Sequence, residues 1–283
     1  MRVSIITPSF RQSDWLKLCI ASVADQGVDA EHIIQDAGSE DGTLAWLPQD
    51  RRVRAFVEKD SGMYDAVNRG LRRSTGDVLA WLNCDEQYLP GALASVLQFF
   101  EARPQMDVLF GDIIFVDNQG AYAGHRKVQV PLLYHTWTCH LSTLSCATFF
   151  RRRAVFDYGE FFDPRLRAGG DGEWMVRLLR RGVCAVALGR FTSVFTLTGS
   201  NLGQEADARR ENRELRQTAP LWARLARPII IGHHRLRRLV GGMYSQAPFH
   251  FSLYTQTSPA RRELREVRKP TIRCLPQAGT RRS

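Results

Sequence analysis

Short apolar runs alternate with amphipathic helical patterns along the chain as far as residue 117. The runs are typical of buried strands, and apolar positions three and four apart indicate helices between them. Strands are predicted at 3–7, 33–34, 53–58, 76–83 and 107–117, and helices near 16–24, 42–48, 62–73 and 90–101. The alternation predicts an α/β fold with a mostly parallel central sheet flanked by helices.

Small and acidic residues stand where the predicted strands end. They are Thr7, Pro8 and Ser9 after the first strand, and Asp36, Asp60 and Asp85 after the next three. Since ligands of open α/β sheets bind at the carboxyl ends of the strands, we expect one crevice there. No GxGxxG or GxxxxGK[ST] motif follows a strand, which argues against a dinucleotide-binding Rossmann domain and a P-loop NTPase.

The stretch AWLNCDEQYLPGAL (80–93) leaves two interpretations open. Two adjacent acids before a Pro-Gly turn are typical of a turn and a helix cap. Carboxylate oxygens also suit Mg²⁺ or a similar cation, which needs only one or two of them when phosphate oxygens complete its shell. The stretch therefore predicts either a cap or a metal and phosphate site.

Charge divides the chain into a near-neutral body, 1–204, and a basic C-terminal extension, 205–283. The body has 22 Lys and Arg against 23 Asp and Glu, and the extension has 17 against 6. Such asymmetry is typical of contact with nucleic acid or an anionic membrane. Because the body has no basic, aromatic-interleaved recognition motif, nucleic acid is the weaker prediction.

The extension is predicted to be largely helical. Residues 228–244 place aliphatic and basic side chains close together, so they could lie in a membrane interface, and 258–270 is predicted as a short charged helix or a disordered end. No run of 18 apolar residues and no signal peptide is found. We expect a cytoplasmic protein whose extension either attaches it peripherally to the inner face of the membrane or packs on the body as a solvated helical segment. Its six cysteines are expected to be reduced and in the core.

Four segments, in order, resemble family 2 glycosyltransferases with the GT-A fold. They are VSIITPSFRQSDWLKLCIASVADQ, IIQDAGSEDGT, EKDSGMYDAVNRGLRRSTGDVLAWLNCDE and CATFFRRRAVFDYGEFFDPRLRAGGDGEWMVRLLRRG, which cover roughly residues 1–200. The resemblance implies transfer of a sugar, with inversion, from a nucleotide sugar (UDP-linked above all) to a hydroxyl. The acceptor would be a glycan or lipid-linked glycan of surface polysaccharide or glycolipid biosynthesis.

Their place after the first strand predicts nucleotide-sugar binding by Thr7, Pro8 and Ser9, and the resemblance implies the same role for Asp36, Asp60, Asn83 and Asp85. Asp36 would accept the N3–H of uracil, although an Asx turn is the alternative for this residue. Asp85 would bind Mn²⁺ or Mg²⁺ that bridges the donor's phosphates, with Glu86 behind it. The family often has acids at Ala37 and Asn83, and these departures keep open a nucleotide- or nucleic-acid-binding protein without transferase activity.

Asp171 is the predicted catalytic base, because it opens a predicted helix six residues before Arg177, as in the family. Glu173 is the rival base, and helix capping is the alternative role for both acids. Weaker candidates are Arg69 near phosphate, His140 on the acceptor side, Gly199 and Ser200 over the phosphates, and Trp137, Phe149, Phe150 and Trp174 for sugar stacking.

Overall fold

A computed structural model describes residues 1–199 and 206–272. The strands are β1 (Val3–Ser9), β2 (Ala30–Asp36), β3 (Arg54–Val57), β4 (Val78–Trp81), β5 (Glu86–Tyr88), β6 (Val108–Asp117), β7 (Tyr122–Arg126), β8 (Thr148–Arg151), β9 (Ala185–Leu197), β10 (Phe249–Thr255) and β11 (Ser258–Val267). The helices are α1 (Ser13–Ala24), α2 (Thr43–Trp46), α3 (Met63–Arg73), α4 (Ala92–Ala102), α5 (Leu133–Thr138), α6 (Gly170–Arg180), α7 (Ala206–Gln217), α8 (Leu221–Leu225) and α9 (Arg227–Val240).

The central sheet has the order β3-β2-β1-β4-β8-β6-β9-β5, with β7 beside β6. β3, β2, β1 and β4 are parallel, which confirms the predicted arrangement for the N-terminal half. The other half is mixed, since β8 runs antiparallel to both β4 and β6 while β9 is parallel to β6. The sequence missed β5, because its three residues, two of them polar, show no apolar run.

β1 is covered on both faces of the sheet. Ile5 and Ile6 of β1 are fully buried. Helix α3 lies so close to β1 that a Cβ on Gly70 would stand 2.4 Å from a methyl group of Ile6. This close packing fixes α3, whose first turn carries Tyr64 beneath the ends of the parallel strands.

The C-terminal extension combines helices with a β-hairpin. Helix α9 confirms the helical pattern predicted near 228–244. The prediction for 258–270 is wrong, because 258–267 forms β11, antiparallel to β10. The face that β11 turns to the body carries charge instead of an apolar stripe: Arg262 forms a two-pronged ion pair with Asp25, at 2.5 and 2.7 Å. Hydrophobic periodicity could not reveal such a strand.

The hairpin is attached to the sheet through β5. The side-chain amide of Gln87 donates to the carbonyl of Tyr254 and accepts from its N–H, both at 2.9 Å. The extension therefore packs on the body, whereas the predicted division at residues 204 and 205 lies in the undescribed segment and stays a prediction.

The described cysteines form no disulfides. Cys19, Cys84 and Cys146 are buried as predicted, but Cys184 is exposed, so the prediction of a core position is wrong for that residue. Cys274 lies outside the described residues.

Candidate active site

A cleft of about 830 Å³ opens at the carboxyl ends of the parallel strands. Six of the predicted site residues line it, from four separate parts of the chain: Pro8, Ser9, Asp60, Asn83, Asp85 and Asp171. The crevice expected at this edge of the sheet is therefore present, and helix α6 contributes to it. Thr7 and Asp36 are not among the lining residues.

Asp36 forms the centre of a turn behind the cleft. One carboxylate oxygen accepts the N–H groups of Gly38 and Ser39, at 2.9 and 2.7 Å, and the other accepts the hydroxyls of Ser9 and Ser39, both at 2.8 Å. A carboxylate has about four acceptor positions, so these bonds use them all. The geometry is the Asx turn that the sequence left open, and base recognition by Asp36 stays a prediction.

Thr7 points into the sheet rather than into the cleft. Its hydroxyl lies 2.9 Å from Nε2 of His32, and both side chains are buried. Burial lowers the pKa of His32 to about 3, so the ring is neutral and the pair contributes no charge near the cleft.

Asp60 lines the cleft and also shapes the loop that enters α3. Its Oδ1 accepts the N–H of Gly62 at 2.9 Å, and burial raises the pKa of its carboxyl. The nearby Arg69 is bound to Asp65 at 2.9 Å and to the carbonyl of Lys59 at 3.0 Å. Arg69 therefore stabilises the loop, and it does not line the cleft.

The segment after β4 presents Asn83 and Asp85 to the cleft. The side-chain oxygen of Asn83 accepts the indole N–H of Trp81 at 2.7 Å, and Glu86 accepts the backbone N–H of Asn83 at 2.8 Å. Burial raises the pKa of Asp85, and burial with the charge of Asp85 raises that of Glu86. Two acids in a low-polarity setting are an unfavourable arrangement that a bound cation would relieve.

The donor chemistry here fits a hard cation. Asp85 supplies a carboxylate at the cleft, and Oε1 of the adjacent Glu86 is buried without a hydrogen-bond partner in the described parts of the chain. Within 1–199 and 206–272, no group of three or more His, Cys, Asp and Glu side chains is arranged to hold a metal. A cation at Asp85 would therefore complete its shell with phosphate and water oxygens.

Asp171 lies in the first turn of α6, at the wall of the cleft. The hydroxyl of Tyr64 accepts the backbone N–H groups of Gly170 and Asp171, at 2.8 and 3.2 Å. The Asp171 carboxylate accepts the N–H of Gly172 at 2.8 Å. Burial raises the pKa of Asp171 to about 6, and the charge of Glu211 adds to the rise.

Glu173, the rival base, is bound within its own helix. Its Oε1 accepts from Arg177 at 2.7 Å, and it does not line the cleft. Arg177 also pairs with Glu160 and donates to the carbonyl of Phe161. Arg177 therefore belongs to an ion-pair network with Glu160 and Glu173.

The weaker candidates that the structure describes are not among the residues that line the cleft. Phe149, Phe150 and Trp174 belong to the buried core. The indole of Trp137 donates to Thr218 at 2.9 Å, and the ring of His140 lies 5.0 Å from that of His135. Gly199 has a positive φ of 84°, and Ser200 lies outside the described residues.

Sequence reasoning missed several residues that line the cleft, among them Phe10, Lys59, Tyr64, Arg167, Phe195 and Thr198. Lys59 and Tyr64 stand in the quoted segment EKDSGMYDA and could have been proposed from it. Arg167 reaches the cleft from an irregular loop, where its guanidinium donates to the carbonyl of Ser61 at 2.7 Å. No sequence pattern indicated that contact.

Comparison with known proteins shows which family the chain resembles. The model of glycosyl transferase family 2 matches residues 4–159. TuaG of Bacillus subtilis, named for teichuronic acid biosynthesis, is 36% identical over 206 residues, 71% of this chain and 81% of that protein. A PGL/p-HBAD biosynthesis glycosyltransferase of Mycobacterium bovis is 30% identical over 181 residues, 62% of this chain and 68% of that one.

A solved structure shares the fold. S. aureus TarS 1-349, in complex with UDP-GlcNAc, superposes with a TM-score of 0.62 at 17% identity, covering 76% of this chain and 64% of that one. The likeness confirms the GT-A fold predicted from the sequence. Since the family match also spans more than half of the chain, the protein belongs to glycosyl transferase family 2 and is a glycosyltransferase.

Proposed function

We propose that this glycosyltransferase moves a sugar from a UDP-sugar to an acceptor hydroxyl with inversion at the anomeric carbon. The observation that carries the proposal is that Asp85 and Asp171 line one cleft although β4 and α6 bring them from opposite halves of the chain. Asp85 can act at the diphosphate of the donor, and Asp171 can act at the hydroxyl of the acceptor. A single displacement then needs no nucleophile from the protein.

Asp171 is proposed as the base that takes the proton of the acceptor hydroxyl as it attacks. Its raised pKa, about 6, keeps it ionised at neutral pH while making it a better proton acceptor than an exposed carboxylate. The N–H of Gly172 and the Tyr64 hydroxyl fix the first turn of α6, so Asp171 faces the cleft in a defined orientation. The N–H of Gly172 binds one carboxylate oxygen, Oδ1, and the proton of the acceptor hydroxyl is proposed to go to the other.

Asp85, with Asn83 and Glu86 beside it, would hold Mn²⁺ or Mg²⁺ at the donor's phosphates. When bound, such a cation supplies positive charge that stabilises the leaving diphosphate. Lys59 and Arg167 add two cationic side chains to the cleft lining. The chain's own contribution is therefore an acidic point for the metal and one basic group, Lys59, for the phosphates, since the guanidinium of Arg167 is bound to the carbonyl of Ser61.

Ser9, Pro8 and Asp60 form the nucleotide end of the proposed site. Asp36 supports this end by holding the hydroxyl of Ser9 and the turn that begins at Ala37, a lining residue. We infer that Asp36 shapes the surface on which the uracil ring rests, and Thr7 supports it from within the sheet. TarS, which has the same fold, was crystallised with UDP-GlcNAc, and this supports a UDP-linked donor.

The proposed acceptor is a hydroxyl of a glycan or lipid-linked glycan in the biosynthesis of a surface polysaccharide or glycolipid. The names of TuaG and of the mycobacterial relative, both tied to such products, support this class.

Donor hydrolysis tests the proposal without knowledge of the acceptor. UDP-glucose, UDP-galactose and UDP-GlcNAc would be incubated with Mn²⁺, and release of UDP compared for the wild type, Asp85→Ala and Asp171→Asn. We expect each variant to lose activity by about 100-fold or more. Asp171→Asn should still bind UDP, whereas Asp85→Ala should lose the effect of Mn²⁺ on UDP binding.

Unchanged hydrolysis in both variants would refute the assignment of the site. Salt-sensitive binding of nucleic acid, combined with no binding of UDP, would instead favour the binding protein without transferase activity that the sequence left open.

We further propose that helices α8 and α9 attach the enzyme to an anionic lipid bilayer from its cytoplasmic side. Among the described residues, no helix is long and apolar enough to cross a membrane. The two helices nevertheless expose a band of large apolar side chains: Leu221, Trp222, Leu225, Ile229, Leu236, Leu239 and Val240. Ile229, Leu236 and Val240 follow a helical repeat, so they share one face of α9.

The charges around this band of apolar side chains indicate that it binds an anionic lipid bilayer. Arg224 and Arg235 are exposed beside the aliphatic side chains, and Arg227, Arg237 and Arg238 are half-buried around them. α8 and α9 carry no acid, so the face complements anionic headgroups, each nearby Arg contributing about 1 kcal/mol.

Vesicle flotation tests this surface. The full chain should float with vesicles containing phosphatidylglycerol and less with phosphatidylcholine alone, and Ile229→Asp with Leu236→Asp should abolish flotation. Leu264→Asp, at an equally exposed position on β11, is the matched control and should float. Equal flotation of the double variant would refute the proposal, as would a self-associated wild type that the double variant converts to monomer without any lipid binding.

A further inference from the structure

The extension also reaches the catalytic side of the cleft, through Glu211 of α7. This side chain is only 5% exposed. Its carboxylate accepts three consecutive backbone N–H groups, those of Arg167, Ala168 and Gly169, at 2.7, 3.0 and 2.7 Å. Gly169 is the N-cap of α6, two residues before Asp171.

These N–H groups need a partner from elsewhere in the fold. N–H groups at the start of a helix have no acceptor inside the helix, and a Ser, Thr, Asp or Asn at the N-cap normally supplies one. Gly169 has no side chain to do so. The Tyr64 hydroxyl accepts the N–H groups of Gly170 and Asp171. Glu211, 42 residues from Gly169, holds the N–H of this N-cap residue and the two N–H groups before it, and its charge strengthens each of the three bonds.

The local sequence is fitted to this contact. A Cβ on Gly169 would stand 3.2 Å from Cβ of Glu211, which is tighter than ordinary van der Waals contact. On the other side of the loop, the guanidinium of Arg167 donates to Ser61, next to Asp60. The segment 167–169 is thus held between α7 and the loop that enters α3, and it ends two residues before Asp171, the proposed base.

We propose that Glu211 is a positioning residue for Asp171, which acts by fixing the backbone of 167–169. The role deepens the proposed function and rests on it, and Glu211 itself does not line the cleft. It makes the C-terminal extension part of the catalytic apparatus. A loosened loop would let Asp171 move relative to the acceptor while the donor end of the cleft keeps its shape.

Hydrogen exchange measures this role directly in the full chain. In Glu211→Gln, one oxygen becomes an NH₂ group that cannot accept, so peptides spanning 167–169 should exchange at least tenfold faster than in the wild type. Glu214→Gln, on the same helix but largely exposed, is the matched control and should leave their exchange unchanged. Wild-type protection of 167–169 in Glu211→Gln would overturn the proposal.

Steady-state hydrolysis of the best UDP-sugar with Mn²⁺ gives the functional readout. We expect Glu211→Gln to lower kcat about 10- to 100-fold with the donor KM within about twofold, because misplacement of a catalytic group by an ångström has effects of that size. Glu211→Asp, which keeps the charge but has a shorter reach, should recover part of the kcat. Equal losses in both variants together with a raised KM would indicate a general structural role and contradict the proposal.

If Glu211→Gln is too unstable to be studied, the proposal can still be tested with Glu211→Asp. Hydrogen exchange at 167–169 and donor hydrolysis would be measured for that variant at temperatures below its unfolding transition. If Asp171→Asn hydrolyses the donor at the wild-type rate, the proposed base is wrong. Faster exchange at 167–169 in Glu211→Gln would then still establish the contact and its effect on the loop, so the two failures are distinguishable.

Discussion

The two ends of the cleft are held by different kinds of contact. At the nucleotide end, side chains bind backbone groups two or three residues away, as Asp36 does with Gly38 and Ser39, and Asp60 with Gly62. At the catalytic end, the start of α6 is held by Tyr64, 106 residues from Gly170, and by Glu211, 42 residues from Gly169. Apart from the bonds of Ser9 to Asp36 and of Arg167 to Ser61, the nucleotide end is built locally, whereas the catalytic end depends on distant parts of the chain.

The difference implies different responses to substitution. A defect in a local turn changes the surface that the nucleotide contacts, so it should raise the donor KM. A defect in a distant contact lets the base move without touching the nucleotide end, so it should lower kcat. Substitutions at the two ends can confirm or refute this separation.

Gly170→Ala should have the largest effect. A Cβ at this position would stand 2.7 Å from the ring of Tyr64, and that ring is enclosed by Trp81 and Phe162 at centroid distances of 5.6 and 5.7 Å. Because Tyr64 cannot retreat, the start of α6 must shift, and we expect kcat for donor hydrolysis to fall about 100-fold. Gly232→Ala, where a Cβ meets open space, is the control. A raised KM at unchanged kcat would contradict the separation.

Tyr64→Phe should have the next largest effect. The variant keeps the ring but leaves the N–H groups of Gly170 and Asp171 without their acceptor. The free energy of unfolding should fall by about 1–3 kcal/mol, and kcat by about tenfold. Chemical denaturation and steady-state kinetics measure the two quantities. Tyr158→Phe, which removes a hydroxyl bonded to Asp107, is a control in which kcat should not change.

Acidification should affect the catalytic end through Asp171 and, in the same pH range, the donor end through Asp85, because burial raises the pKa of both carboxyls to about 6. The base works only when ionised, and burial raises the pKa of Asp171 to about 6, so kcat should fall as the pH falls through that value. Between pH 7.5 and 5.5 the ionised fraction drops about fourfold, and the rate should follow it. The measurement is the pH dependence of kcat for donor hydrolysis, with UDP binding followed in parallel. A rate that stays constant to pH 5 would refute Asp171 as the base.

Asp36→Asn should have the smallest effect, at the nucleotide end. Asn keeps one oxygen for the N–H groups of Gly38 and Ser39, and the hydroxyls of Ser9 and Ser39 can turn to accept from its NH₂. We expect the donor KM to rise about threefold with little change in kcat. A loss of UDP binding of 100-fold or more, measured by calorimetry, would instead show that Asp36 contacts the base directly.

The same difference explains how much the sequence could predict. The parallel strands and the acids at their ends, Asp60 and Asp85, were predictable because an apolar run and the residue that follows it are adjacent in the chain. The Asx turn at Asp36 was one of the two predictions for that residue, because the turn also involves residues that are adjacent in the chain. Asp171 was identified by its place at the start of a helix and by the family resemblance.

The remaining features depend on contacts that periodicity does not encode. Arg167 reaches the cleft only because its loop lies against α7, and Tyr64 is a site residue only because α6 begins above its hydroxyl. β11 was mistaken for a charged helix because Arg262 pairs with Asp25, 237 residues away. From sequence alone, a charged residue that forms an ion pair with a distant residue looks the same as one exposed to solvent.

The two hydrogen bonds between Gln87 and Tyr254 affect how this protein can be re-engineered and how it evolves. Gln87 stands two positions after Asp85, so the hairpin and the acidic segment share one short strand. A chimera that takes its C-terminal region from another family member would have to reproduce this junction and the one at Glu211. Body and extension are therefore expected to be inherited together, with substitutions at Gln87, Gly169 and Glu211 compensated across the boundary.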